Sequence, residues 1–526
     1  MSCLGRLLSA TLQSQSCRPA LCINGKTTSY RDIDGWSRRI AGLLRGQIIG
    51  ILAGASLETY AGVLAVARSG RTYVPFNADL PDDRLLRLFQ QSGMETLIVD
   101  RQHLARVRNL LHSLSNPLKV VIMNSEDEAK ISSSGQHHIA GINESSEDEA
   151  LNDDAEVSDE TPLYIMSTSG STGEPKRIAI PRYNVVDYVN SVQSIFDFHP
   201  DDRFSHFFKL SFDLSVHDIF VTWITGGCLY IPAARDLLDP VAFARRHALT
   251  VWFSVPSLLT LAMMTRKLGP DRLPDLRHAL FCGEAFGWEA ALTMQAAAPN
   301  ARVTNLYGPT EATIAITHHS IDKTAPSPES YHNPVPIGRV FDGQEAIVVQ
   351  QDLSIALPGE PGELLLGGSQ LAPGYLNNDE QTRKAFVDHE FDGFQNTRWY
   401  RTGDIVTTSD DGLVFLGRSD TQIKFRGHRV ELGEIEAVLQ RVAKTPLAIV
   451  IPCPPFGTGP INSLLAFIMP PHNPADEVQA ALRNHLPAHM VPTRLVTLNQ
   501  PIDSLLNANQ KVDRAKIAKI YEDSVG

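Results

Sequence analysis

Along the first hundred residues, helical periods alternate with short continuous apolar runs. IIGILAG (48–54) and YVPFN (73–77) read as buried strands, and LETYAGVLAVARSG between them reads as a helix stopped by Gly70. ETLIVD, KVVIM and HALFCGEAF continue the alternation, the last followed by the helical GWEAALTMQAAAP. Strand and helix in turn predict an α/β, doubly wound sheet. After Val335 the texture changes. EAIVVQQDL, GELLLGG and GLVFLGR are short β runs separated by Pro and Gly, the pattern of a barrel or meander. From about Asp420 a smaller α+β unit follows: TQIKFRGHRV, the helix GEIEAVLQRV, then PLAIVIP and LLAFIMP. The expected boundary lies in LGRSD, dividing the chain into 1–418 and 419–526.

Composition narrows the class. A chain of 526 residues is too long for one core. Its 43% hydrophobic and 20% charged residues are ordinary for a folded globular protein. A formal net charge of −12 speaks against nucleic acid or an anionic membrane as partner. Most of that charge is local: 12 acids and one Lys lie between Glu126 and Glu160, a stretch that reads as a solvated surface loop. Six cysteines form no CxxC pair, the N-terminus lacks a signal-peptide core, and no apolar run approaches the roughly 18 residues needed to span a bilayer. The expectation is a cytoplasmic, monomeric protein with reduced thiols.

Candidate chemistry begins at STSGSTGEPKRIAI, Ser167–Ile180. Gly-rich loops wrap phosphates because backbone N–H groups converge where no Cβ intrudes. Thr168, Ser169, Ser171 and Thr172 add hydroxyls, Gly170 and Gly173 permit the turn, and Lys176 brings a charge for phosphates. Alone, the run also suits a surface hairpin, and its spacing does not fit a P-loop. Four further segments stand in order: NLYGPTEATI (Asn305–Ile314), YRTGD (Tyr400–Asp404), GRSDTQIKFRGHRVELGEIE from Gly417, and NANQKVDR (Asn507–Arg514).

Together these motifs resemble the adenylate-forming superfamily, which includes nonribosomal-peptide-synthetase adenylation domains, acyl- and aryl-CoA synthetases and luciferases. The resemblance runs from about Thr28 to Arg514. It implies a large N-terminal domain of doubly wound sheets plus a distorted β-barrel, with a small mobile C-terminal domain. It also implies ATP and Mg²⁺. The Ser167 loop, with Gly170, Gly173 and Lys176, would hold the β- and γ-phosphates. Thr310 would meet the α-phosphate and Glu311 the metal. Tyr307, flanked by Asn305 and Gly308, would stack on adenine. Asp404 and Arg418 would hold the ribose, and Lys511 would bridge the substrate carboxylate and the α-phosphate. Asp420 would be the hinge, and Gly427 would reach the thiol tunnel for transfer to a separate peptidyl carrier protein with a phosphopantetheine arm.

FKLSFDLSVHDIF (Phe208–Phe220) resembles the segment whose Asp, here Asp213, pairs with an amino acid's ammonium. A helix N-cap is the plain alternative. The corresponding specificity positions are Leu214, His217, Ser257, Leu280, Cys282, Gly283, Leu306, Ile314 and Ala315, which imply a small, uncharged side chain. The expected substrate is L-proline. D-alanine is the alternative, and an acid–CoA ligase or an inactive nucleotide-binding regulator are the rivals. Two departures stand out: Arg177 follows the loop lysine where the family has Gly, and Gln510 precedes Lys511 where the family has Gly.

Overall fold

A computed structural model describes residues 2–525 apart from 53, 115, 123–136, 143–156, 169–175, 322–333, 446, 455–460, 471–472, 499–504 and 506–513. The acidic stretch between Glu126 and Glu160 falls largely outside the described residues. So do Ser169, Gly170, Ser171, Thr172, Gly173 and Lys511.

Two large sheets carry the N-terminal part. One has seven strands, with Ile48–Leu52 between Thr72–Pro75 and Thr96–Val99 in parallel register. At its edge Pro162–Thr168 pairs antiparallel with Lys176–Pro181, so the Ser/Gly loop joins two paired strands. The other has nine strands and includes the parallel run Val251–Ser254, His278–Phe281 and Arg302–Tyr307. The helix Leu57–Arg68 is buried at every position from Thr59 onward. A helix apolar on all sides belongs inside, and one hydrophobic cluster joins its Val63 and Val66 to strand residues of both sheets.

The β runs after Val335 form a five-stranded antiparallel sheet that contains Gln344–Val349, Gly362–Gly368, Arg398–Ser409 and Gly412–Arg418. Beyond it, Gln422–Phe425 and His428–Glu431 make a hairpin. The helix Leu432–Ala443 and a three-stranded sheet follow. These late elements close a core of their own, from Ile423 and Val430 to Leu482 and Met490. Among the described residues, no helix is long and apolar enough to cross a membrane.

Candidate active site

The strand Arg302–Tyr307 delivers NLYGPTEATI to the site. The chain then doubles back so closely that a Cβ on Gly308 would lie 2.5 Å from Ala315 Cα, a contact only glycine avoids. The turn Thr310–Ala312 follows, and Thr313 and Ile314 take left-handed backbone angles (φ 56° and 72°). Gln370 holds this turn by donating to the carbonyl of Ala315 at 2.8 Å.

Glu311 sits on the turn with 0% exposure. It accepts the Tyr375 hydroxyl at 2.7 Å and Arg429 Nη1 on both oxygens, at 2.9 and 2.8 Å. Burial works against its charge, but Arg429 and the hydroxyl outweigh it and hold the carboxyl below the usual range. Lys176 lies 5.3 Å over the Tyr375 ring. Burial, and then Arg429, lower its ammonium's affinity for the proton.

Asp404 is buried and cross-strand from Arg418, whose guanidinium donates to it. The Tyr307 hydroxyl donates to its other oxygen. Arg418 also grips Asp420 with two bonds of 2.7 and 2.8 Å, and Asp420 accepts the Gln422 amide. The ribose, adenine and hinge candidates therefore form one bonded chain.

Asp213 is buried, and its side chain makes no N-cap bond to the short helix Leu214–Val216 that follows. Burial pushes its carboxyl up to about 6, partly opposed by a hydrogen bond from Thr310. Among the described residues it forms no ion pair, and the Lys424 ammonium opposes its upward shift only from a distance.

One cavity brings together Asp213, Cys282, Thr310, Asp404, Lys424 and Arg429, and Leu214, Gly283, Gly308, Arg418 and Gly427 also reach it. A second, beside Gly283 and Lys424, is lined by Asn305, Leu306, Tyr307 and Phe415. Other specificity candidates stand further back. His217 is buried, bonds Tyr188 through Nδ1 at 2.7 Å and packs on Phe253, and burial pushes its ring down to about 3. Leu280, Ile314 and Ala315 are fully buried. Ser257 donates its amide and hydroxyl to Glu284. Arg177 donates to the Gln91 carbonyl.

Four residues that shape the site were not singled out from sequence: Glu284, Tyr375, Lys424 and Arg429. Lys424 and Arg429 lie within the quoted TQIKFRGHRV and stand opposite each other across the hairpin. Glu284 follows Gly283 and accepts the Gly427 amide at 2.5 Å. Gly427 itself is left-handed (φ 77°), and a Cβ there would meet Val255 at 2.8 Å. Among the described residues, no group of three or more His, Cys, Asp or Glu could hold a metal. A single buried carboxylate beside a hydroxyl still fits Mg²⁺, which binds through one or two carboxylates plus substrate phosphates. In this structure the Arg429 guanidinium lies against both oxygens of that carboxylate.

The description "AMP-binding enzyme" matches residues 8–376. The D-alanine–D-alanyl carrier protein ligase of Lactiplantibacillus plantarum is 30% identical over 94% of both chains. Tyrocidine synthase 1 of Brevibacillus parabrevis is 30% identical over 94% of this chain, which spans only 43% of that relative's length. The Vibrio cholerae adenylation domain AlmE, solved with glycyl-adenosine-5'-phosphate, superposes with a TM-score of 0.88 at 32% identity, covering 99% of this chain and 98% of that one. The chain belongs to the AMP-binding enzyme family.

Proposed function

We propose that this protein is a ligase that activates a small neutral amino acid with ATP and loads it onto the phosphopantetheine thiol of a separate carrier protein. The observation that carries this reading is Asp213: a buried carboxylate with no ion pair among the described residues, in the cavity that also holds Thr310, Asp404 and Lys424, whose charge only partly offsets its burial. An ammonium would supply the missing charge, whereas a fatty or aryl acid would leave the carboxylate unpaired.

In the first half-reaction the substrate carboxylate attacks the α-phosphorus of ATP and pyrophosphate leaves. Thr310 and Lys511 would counter the charge that develops there, Lys176 would counter that of the leaving group, and Asp404 with Arg418 would fix the ribose. Mg²⁺ on Glu311 would neutralise phosphate charge. In the second half-reaction the thiol attacks the acyl carbon and AMP leaves. Residues 419–526 would turn about Asp420 to bring Gly427 to the thiol's approach. The seated hairpin, with Gly427 and Arg429 at the cavity, supports reading the arrangement described here as the transfer one.

L-Proline, the sequence expectation, keeps two N–H groups on its ammonium for Asp213. The D-alanine ligase and the glycyl-bound neighbour favour a smaller side chain. Amino-acid-dependent ATP–pyrophosphate exchange with glycine, D- and L-alanine, L-proline and a bulky or charged set tests the class. Exchange is expected only with small neutral members, and exchange with none would overturn the reading. Lys511→Ala is expected to lower exchange by about 10²–10³. Near-normal exchange would remove Lys511 from the mechanism.

A further inference from the structure

Two imidazoles stack where the C-terminal unit meets the large one. His428, beside Gly427 on the hairpin, and His489, on the turn Ala488–Met490, lie face to face, with ring centres 3.7 Å apart and planes 8° from parallel. Both belong to the C-terminal unit, but the large unit helps to cover them. Phe212, next to Asp213, packs on His428 with ring centres 6.0 Å apart. The helix Asp82–Ser92 packs on the C-terminal helix Ala475–His485, and its Arg84 meets Glu434 at 2.7 Å. The fixed charges that bear on the pair are positive: Lys209 and Arg84 from the large unit, and Arg426 from the hairpin. The acids nearby are engaged, since Asp79 pairs with Lys209 and Glu434 with Arg84. Lys424 and Arg429 of the same hairpin turn to the active site, to Tyr307 and Glu311. Among the described residues, no carboxylate forms an ion pair with either ring.

We propose that the His428–His489 stack is a proton-sensitive latch: acid charges it, unseats the C-terminal unit from the large one and withdraws the hairpin from the thiol's approach. This rests on the proposed function, in which residues 419–526 turn about Asp420. A proton on either ring of the seated pair meets three cations and no free acid, and a second proton would meet the first across the stack. Burial, then Lys209, pushes the His428 ring down to about 4, and burial, then the His428 ring, pushes His489 down to about 3. Turning the unit away uncovers both rings and removes Lys209 and Arg84, so the rings return towards the ordinary value of about 6.5. Seating is therefore fully supported above about 6.5 and weakens as pH falls towards about 4. One imidazole weakens it about tenfold per pH unit in that window.

Hydrogen exchange read by mass spectrometry on the full chain tests this through the peptide covering 422–431, because seating protects the Gly427 amide, whose acceptor is Glu284. Wild type, His428→Phe, His489→Phe and the double variant are compared at about pH 7.5 and about pH 5.5, on either side of the ordinary imidazole value, with each rate divided by the chemical exchange rate at that pH. Phenyl rings keep an aromatic stack and take up no proton. Wild-type protection is expected to fall about tenfold at the lower pH, and that of the double variant to stay within about twofold. An unmoved wild type overturns the proposal. So does a double variant that falls as far as wild type, which would assign the release to Glu284 or Asp213. Peptides over His278–Phe281 and Ala448–Cys453 report the fold of the two units. Should the double variant loosen them, either single variant decides: a response smaller than wild type is expected, and an equal one contradicts the proposal. Acid-driven release in a protein without ATP–pyrophosphate exchange on any amino acid would sink the proposed function and keep the latch, and exchange without acid-driven release would do the opposite.

Discussion

Asp213 and Glu311 are buried carboxylates of one site, and burial works against the charge of both, yet their carboxyls shift in opposite directions. Glu311 has a guanidinium on both oxygens and a tyrosine hydroxyl besides, and its carboxyl is held below the usual range. Asp213 has the Thr310 hydroxyl and no ion pair among the described residues, and its carboxyl is pushed up to about 6. The difference separates a charge the protein completes for itself from one left for a ligand to complete. Neither burial nor residue type distinguishes them; the partner does.

The largest expected effect comes from removing the incomplete charge. Asp213→Ala should raise the KM for the amino acid by a hundredfold or more while the KM for ATP moves little, since an unpaired buried charge costs about 3–5 kcal/mol. Steady-state exchange kinetics check this, and an unchanged amino-acid KM would break the contrast between the two acids.

Proton uptake should separate them next. Below pH about 6 protons compete with the ammonium for Asp213, so the amino-acid KM should rise about tenfold per pH unit. Asp213→Asn should lack that slope. Stability follows opposite signs. The raised carboxyl of Asp213 contributes stability that is fully present below its unfolded value and lost as pH rises through about 6. The depressed carboxyl of Glu311 contributes stability that is present above its unfolded value and lost only as pH falls through the lower folded one.

Tyr375→Phe should weaken metal use by about tenfold, the ordinary cost of losing a group that orients a metal ligand. The Mg²⁺ dependence of exchange reads this, and an unshifted curve would mean the hydroxyl does not orient Glu311. The smallest expected effect is on the hairpin. Gly427→Ala puts a methyl group 2.8 Å from Val255 in a left-handed backbone, a strain of about 1–3 kcal/mol. Carrier loading should fall more than exchange, and an equal loss of both would place the strain elsewhere.

Much of this site could be read from the chain because its parts are local. Gly308, Thr310 and Glu311 share one turn, and Asp404 and Arg418 stand in two strands joined by a tight connection. The two doubly wound sheets were legible for the same reason: IIGILAG and YVPFN are uninterrupted apolar runs. The pairing of Arg429 with Glu311 spans 118 positions and depends on where a separate unit docks, which periodicity does not encode. Glu284 was hidden because two of its three donors are backbone amides, of Ser257 and Gly427, and an amide leaves no trace in sequence. His217 illustrates the reverse: a polar residue in a specificity motif that packs against Tyr188 and Phe253 instead of lining the cavity.

The central claim is that Asp213 awaits an ammonium. ATP–pyrophosphate exchange with each small amino acid beside the matching acid that lacks the amino group, such as alanine beside propionate, tests it most directly. The account predicts exchange with the amino acid and almost none with its deaminated counterpart. Equal exchange with both would contradict it and make the protein an activator of simple carboxylic acids.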